Sequence, residues 1–136
     1  MHLIGTHHVA ISTPHFARLR AFYVEKLGLP VLGGFPGHDI LFIAAAGTTI
    51  ELIGEATPTG PTGRRGWHHL AWEVEDMDAS YAELAARGIP FPVPPEDFPA
   101  EAPSMRIAFF QDPDGNLLEL VQPLGSRYPV APPSQR

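Results

Sequence analysis

Apolar and polar positions alternate over Thr6–Ser12, which predicts a short strand: Val9 and Ile11 fall on one face, His8, Ala10 and Ser12 on the other. Phe16, Leu19, Phe22, Tyr23 and Leu27 then recur at helical spacing. Thr13-Pro14 reads as an N-cap followed by a first-turn proline, and Gly28 as the stop. Runs over Pro30–Phe35, Asp39–Ala45 and Thr48–Gly54 predict three more strands separated by glycine turns. The same order then starts again. Trp67–Val74 is a strand, Asp76 or Asp78 caps a helix with Tyr81, Leu84 and Ala85 as its apolar stripe, and Gly88 ends it. Arg106–Gln111 and Leu117–Gln122 are strands flanking Asp112-Pro113-Asp114-Gly115-Asn116, a strong hairpin-turn segment.

The two halves match residue by residue. His7-His8-Val9-Ala10-Ile11 lines up with His68-His69-Leu70-Ala71-Trp72 at an offset of 61, and Leu27-Gly28-Leu29-Pro30 with Arg87-Gly88-Ile89-Pro90 at 60. Ile50-Glu51-Leu52-Ile53 matches Leu118-Glu119-Leu120-Val121 at 68. Ordered matches at nearly constant offset indicate an internal duplication. The pattern is α+β, two βαβββ modules over about residues 4–55 and 67–123, with a Thr-Pro-Gly-rich linker over 56–66. Residues 1–123 form one domain on this reading, and 124–136, with Pro129, Pro132 and Pro133, an extended or disordered tail. The extra residues of the second copy fall in the proline-rich stretch from Pro90 to Pro103. There Phe91–Pro99 is expected to be a stiff surface loop, or else a lid.

Strand phase picks out four residues. In each first strand the apolar face is expected to pack on the following helix, so His8 and His69 point the other way, beside the small Ala10 and Ala71. Glu51 and Glu119 each interrupt an apolar strand, where a carboxylate is costly unless paired, protonated or bound to a cation. Two imidazoles and two carboxylates at equivalent places suggest one shared site for a divalent Zn, Ni, Co, Mn or Fe ion. His7 and His68 lie in the opposite phase and are expected to be scaffold, and His15 and His38 to be solvated.

Composition narrows the function classes. With 136 residues, 44% hydrophobic and 18% charged, the chain fits a single globular domain. Its net charge of −6 argues against nucleic acid as a partner. Having no cysteine, it has no disulfide framework, thiolate metal site or cysteine nucleophile. The apolar run from Ile40 to Ala46 is too short to span a bilayer, and the N-terminus shows no signal-peptide pattern. These features predict a soluble, cytoplasmic protein with neither membrane nor nucleic-acid partners.

The histidine motifs, Phe22-Tyr23 leading to Leu27-Gly28-Leu29, Ile50-Glu51-Leu52, and Asp112–Asn116 running into Leu118-Glu119-Leu120 carry a family resemblance. Over roughly residues 4–123 the sequence resembles the vicinal oxygen chelate superfamily of glyoxalase I, methylmalonyl-CoA epimerase, extradiol dioxygenases and antibiotic-resistance proteins. The resemblance implies paired βαβββ modules forming a cupped mixed sheet, usually in a homodimer. It also implies one divalent metal held by His8, Glu51, His69 and Glu119.

The full His-Glu-His-Glu set looks most like glyoxalase I, a lyase acting on a small thiol-adduct substrate. In that chemistry the metal chelates vicinal oxygens and a carboxylate moves a proton next to a carbonyl. Glu119 is the expected base, with Glu51 across the site; their near-symmetry leaves the reverse assignment open. An epimerase resemblance is weakened by the third strand, Asp39-Ile40-Leu41-Phe42-Ile43, which lacks the glutamate such enzymes tend to carry. A two-histidine, one-carboxylate iron dioxygenase could be built from His8, His69 and Glu119, but Glu51 would occupy a position its substrates need. A ligand- or antibiotic-sequestering protein is the remaining alternative; such binders generally lack the metal ligands. Arg18, Arg20, Arg64, Arg65 and Arg106 are available for substrate carboxylates, although Arg64-Arg65 is expected to be a solvated linker segment.

Overall fold

Each histidine motif lies within a strand that runs parallel to the strand carrying a glutamate. In the computed structural model, which describes residues 1–26, 28–57, 66–111, 115 and 117–130, β1 (Leu3–Thr13) pairs parallel with β4 (Thr48–Gly54). This register places Ala10 opposite Glu51. The duplicate strands β5 (Gly66–Val74) and β8 (Leu117–Pro123) pair in the same way, with Ala71 opposite Glu119. The repeat in the sequence is thus a repeat in register.

Between β1 and β4 the chain runs through α1 (Phe16–Arg20), which continues as a π-helical turn over Ala21–Lys26, then β2 (Val31–Gly34) and β3 (Ile40–Ala45). Strands β2, β3 and β4 are antiparallel neighbours, giving the order β2-β3-β4-β1. In the second module α2 (Met77–Ala86), β6 (Val93–Phe98) and β7 (Met105–Gln111) intervene, and the order is β5-β8-β7-β6. The architecture is therefore α+β, with two βαβββ modules and mixed parallel and antiparallel pairing. No helix among the described residues is long and apolar enough to cross a membrane.

Alternation along the strands separates two faces. In the first module Ile11, Leu41, Ile43, Ile50 and Leu52 form a buried cluster against Phe16, Leu19, Tyr23 and Val24 of the helical segment. In the second, Val74, Ala108, Phe110 and Leu120 pack with Met77 and Leu84 of α2. Burying a Leu, Ile or Phe contributes roughly 1.5–3 kcal/mol each. These clusters hold the strands in a phase that leaves His8, Glu51, His69 and Glu119 on the opposite faces. A slip of one residue would reverse every side chain.

Several local expectations are corrected. Thr13 ends β1 rather than capping the helix; its Oγ1 accepts from the His15 backbone N–H at 2.9 Å, and the N-cap residue, His15, makes no side-chain cap. Phe22, assigned to the apolar stripe, is 45% exposed, because the wider π turn carries it off the face that Tyr23 and Val24 bury. Of the two candidates for capping α2, it is Asp76 that does so, accepting from the Ala79 N–H at 3.0 Å. Gly28 and Gly88, matched in the repeat, both have positive φ, +72° and +82°, as the predicted helix stops require.

The largest correction concerns the proline-rich stretch. Expected to be a loop or lid, it contains β6, an edge strand antiparallel to β7. Its register slips between Val93 and Glu96, where Pro94 and Pro95 stand. Proline cannot donate to a ladder, so it is tolerated at an edge and a bulge, where a sequence reading for strand propensity discards it. Arg106 of β7 fastens this strand by donating to Asp97 at 3.0 Å and to Asp78 of α2 at 3.1 Å. Donating to Asp97 and Asp78 holds its pKa above the ordinary arginine value.

The chain groups into two compact units, Met1–His7 with His69–Arg127, and His8–His68 with Tyr128–Arg136. In the first, the terminal amine of Met1 contacts Glu83, Arg127 Nε reaches Glu73 at 2.5 Å, and Arg127 Nη2 donates to the Thr6 carbonyl at 2.9 Å. In the second, the described part of the tail is fixed: the Gly34 N–H donates to the Pro129 carbonyl at 2.8 Å. The expected arm is therefore held in place as far as Val130, while 131–136 lie outside the described residues. So do Leu27, most of the linker and the Asp112–Asn116 turn apart from Gly115, whose φ is +84°.

Candidate metal centre

The two parallel strand pairs each build a histidine–carboxylate pair. His8 projects from β1 and Glu51 from β4, and His8 Nε2 lies 2.7 Å from Glu51 Oε2. His69 and Glu119, from β5 and β8, repeat that contact at the same 2.7 Å.

All four side chains are buried: His8 is 1% exposed, Glu51 8%, His69 8% and Glu119 4%. Removing a carboxylate from water costs several kcal/mol unless positive charge faces it. The fold accepts that cost twice, at matching positions. Two imidazole nitrogens and two carboxylate oxygens are a borderline donor set suited to divalent transition metals, and these four residues form a group that could hold a metal ion.

Each pair has an aromatic ring beside it that the sequence reading did not single out. Phe42 of β3 is the cross-strand partner of Glu51, and its ring stands edge-on to His8 with centroids 5.5 Å apart. Phe109 of β7 is likewise the partner of Glu119 and meets His69 at 5.3 Å. The signal was present in the alternation, because Leu41 and Ile43 face the helix and Phe42 must therefore face Glu51. The expectation for this strand concerned only a missing carboxylate.

The remaining candidates divide cleanly. His7 is fully buried with its Nε2 2.9 Å from the Arg127 carbonyl, a structural contact, and His68 is half-buried. His38 stacks edge-on with Phe35. Ser12, on the His8 face, donates to Glu55 at 2.7 Å, whereas its counterpart Glu73 pairs with Arg127. Arg20 pairs with Glu25, Arg106 with Asp78 and Asp97, and Arg64-Arg65 lie outside the described residues. Arg18 lines a groove of about 440 Å³ together with Ser12, His15, Phe22 and Tyr23.

Residues 5–120 match the Glyoxalase/Bleomycin resistance protein/Dioxygenase superfamily. Biphenyl-2,3-diol 1,2-dioxygenase 2 of Rhodococcus globerulus is 30% identical over 83% of this chain, which spans only 60% of the dioxygenase's length. Ethylmalonyl-CoA/methylmalonyl-CoA epimerase of Cereibacter sphaeroides is 35% identical over 60% of this chain and 69% of its own. Among solved structures, a Streptomyces coelicolor methylmalonyl-CoA epimerase variant in complex with 2-nitronate-propionyl-CoA superposes with a TM-score of 0.74. It has 20% identity and covers 94% of this chain and 100% of its own.

Proposed function

The chain belongs to the Glyoxalase/Bleomycin resistance protein/Dioxygenase superfamily, and from that premise we propose that it is a divalent-metal-dependent lyase or isomerase of the glyoxalase I type. The observation carrying this reading is the buried histidine–carboxylate pair built twice at 2.7 Å. His8, Glu51, His69 and Glu119 would hold one Zn, Ni, Co, Mn or Fe ion. When bound, the ion supplies Lewis acidity toward vicinal oxygens of a small carbonyl or thiol-adduct substrate.

The protein's own groups do the rest. Glu119 takes the proton from the carbon next to the carbonyl, holds it on a carboxylate oxygen, and returns it to the same or the neighbouring carbon. Glu51 stands in the equivalent place and serves as the second acid–base group. Phe42 and Phe109 limit the access of water to the pairs without closing it, so a fraction of the transferred protons exchanges with solvent in each turnover. Arg18, beside the groove, is suited to anchor a substrate carboxylate or phosphate.

An epimerase acting on a CoA ester is the second reading, favoured by the 35% identity to the ethylmalonyl-CoA/methylmalonyl-CoA epimerase. In it, Glu51 and Glu119 would be the two opposed bases, since β3 offers Phe42 at the position facing Glu51. Both readings move a proton next to a carbonyl and share one test. The metal-loaded protein is incubated in D2O with a glutathione hemithioacetal or with methylmalonyl-CoA, and deuterium at the α-carbon is followed by NMR. Incorporation is expected, together with its loss in Glu119→Gln while ligand affinity is largely kept. No incorporation with either substrate, alongside cleavage of a catechol ring, would replace this reading with the dioxygenase. Tight ligand binding without any turnover would leave a sequestering protein.

A further inference from the structure

The described tail lies outside the sequence repeat, and it is anchored on the face of β4 that carries Glu51. Tyr128 Oη lies 2.7 Å from the Thr49 hydroxyl, and its ring packs on Phe42 with centroids 5.1 Å apart. Thr49 precedes Glu51 by two residues, so the two share a face about 7 Å apart along the strand. Thr49 is buried, and Phe42 is the ring that meets His8.

The anchor is a pair of glycines on edge strand β2. The Gly34 N–H donates to the Pro129 carbonyl at 2.8 Å, giving an otherwise open edge a partner. At Gly33 a Cβ would stand 1.8 Å from the Pro129 oxygen and 3.2 Å from Tyr128 Cβ. Only glycine admits the tail there. The sequence around Tyr128 therefore occupies a seat built for it, and Pro129 is buried in that seat.

We propose that Tyr128, held on Gly33–Gly34, is a specificity-determining residue. It walls the His8–Glu51 half of the site and sets which acyl or thiol-adduct groups fit beside Phe42. The proposal rests on the reading of that pair as part of the active site. The wall comes from outside the sequence repeat and stands on the His8–Glu51 half. It therefore gives a pseudo-symmetric site a preferred end for the bulkier substituent.

The test compares the intact chain with Tyr128→Ala, Tyr128→Phe, Gly33→Ala and, as a control, Leu124→Ala, whose side chain is 46% exposed in the same tail. Deuterium exchange is measured with a series of hemithioacetals and acyl-CoA esters of increasing acyl size. Tyr128→Ala and Gly33→Ala are both expected to raise KM for the smallest substrate by about tenfold. The rise should exceed any fall in kcat, and preference should shift toward larger acyl groups. Tyr128→Phe, which keeps the ring, should hold the size preference, and Leu124→Ala should change nothing. Unchanged KM ratios across the series in both Tyr128→Ala and Gly33→Ala, with only a lower Tm, would overturn the proposal and leave the tail a structural brace. Absence of exchange in the intact, metal-loaded chain would instead remove the active-site reading and this proposal with it.

Discussion

Metal should stabilise the native chain measurably, and the size of the effect follows from where the donors sit. His8, Glu51, His69 and Glu119 lie on four different strands and are spread over 112 positions of the chain. The unfolded chain cannot gather them at little cost, so a cation binds the native state almost alone. At a free metal concentration about 100 times Kd the stabilisation is about 2.7 kcal/mol. For a domain of this size, 1 kcal/mol moves Tm by roughly 3–5 °C, so the expected rise is about 10 °C. The assay is a thermal melt of chelator-treated protein with Zn, Ni, Co, Mn or Fe added back. Glu119→Gln keeps the volume but removes a buried charge, and its metal-induced rise should fall to less than about half that of the parent. Leu84→Ala, on the helix side of the second module, should lower Tm through a loss of about 2–5 kcal/mol yet keep the full metal-induced rise. An equal rise in the parent and Glu119→Gln would refute the assignment of the carboxylate as a ligand.

Other substitutions test separate parts of the structure. Asp76→Ala removes the N-cap of α2 and should cost about 1 kcal/mol in a denaturant titration, with turnover unaffected. Gly54→Ala would push a Cβ to 2.8 Å from Asp39 Cβ and 2.9 Å from Phe16 Cβ, so it should destabilise by about 1–3 kcal/mol. Phe109→Ala opens the side of the His69–Glu119 pair and should speed exchange of the transferred proton with solvent, read as more deuterium per turnover. His7→Ala removes a buried contact to the Arg127 carbonyl; it should lower Tm while the bound metal stays at the parent's stoichiometry.

The shared facing of His8 with Glu51 and of His69 with Glu119 was legible because period-two alternation is strict in a half-buried strand. Once Val9, Ile11, Ile50 and Leu52 are assigned to the helix side, His8 and Glu51 have one place to go, and the duplication repeats the inference for His69 and Glu119. Elements whose local chemistry contradicts their final state were not legible. Pro94 and Pro95 hide β6, because an edge with a register slip tolerates residues that a central strand would not. The π turn over Ala21–Lys26 leaves no mark in a helical repeat, so Phe22 was assigned to the wrong side. Tyr128 was lost for another reason: three prolines in the last eight residues read as an extended or disordered arm, and the seat at Gly33–Gly34 lies almost a hundred residues earlier in the chain.

Elemental analysis of natively purified protein beside a His69→Ala variant tests the metal centre most directly. The proposed four-ligand site predicts about one divalent metal per chain in the parent, lost in the variant. Parent protein that carries no metal after purification, and takes up none when Zn, Ni, Co, Mn or Fe is supplied, would contradict it.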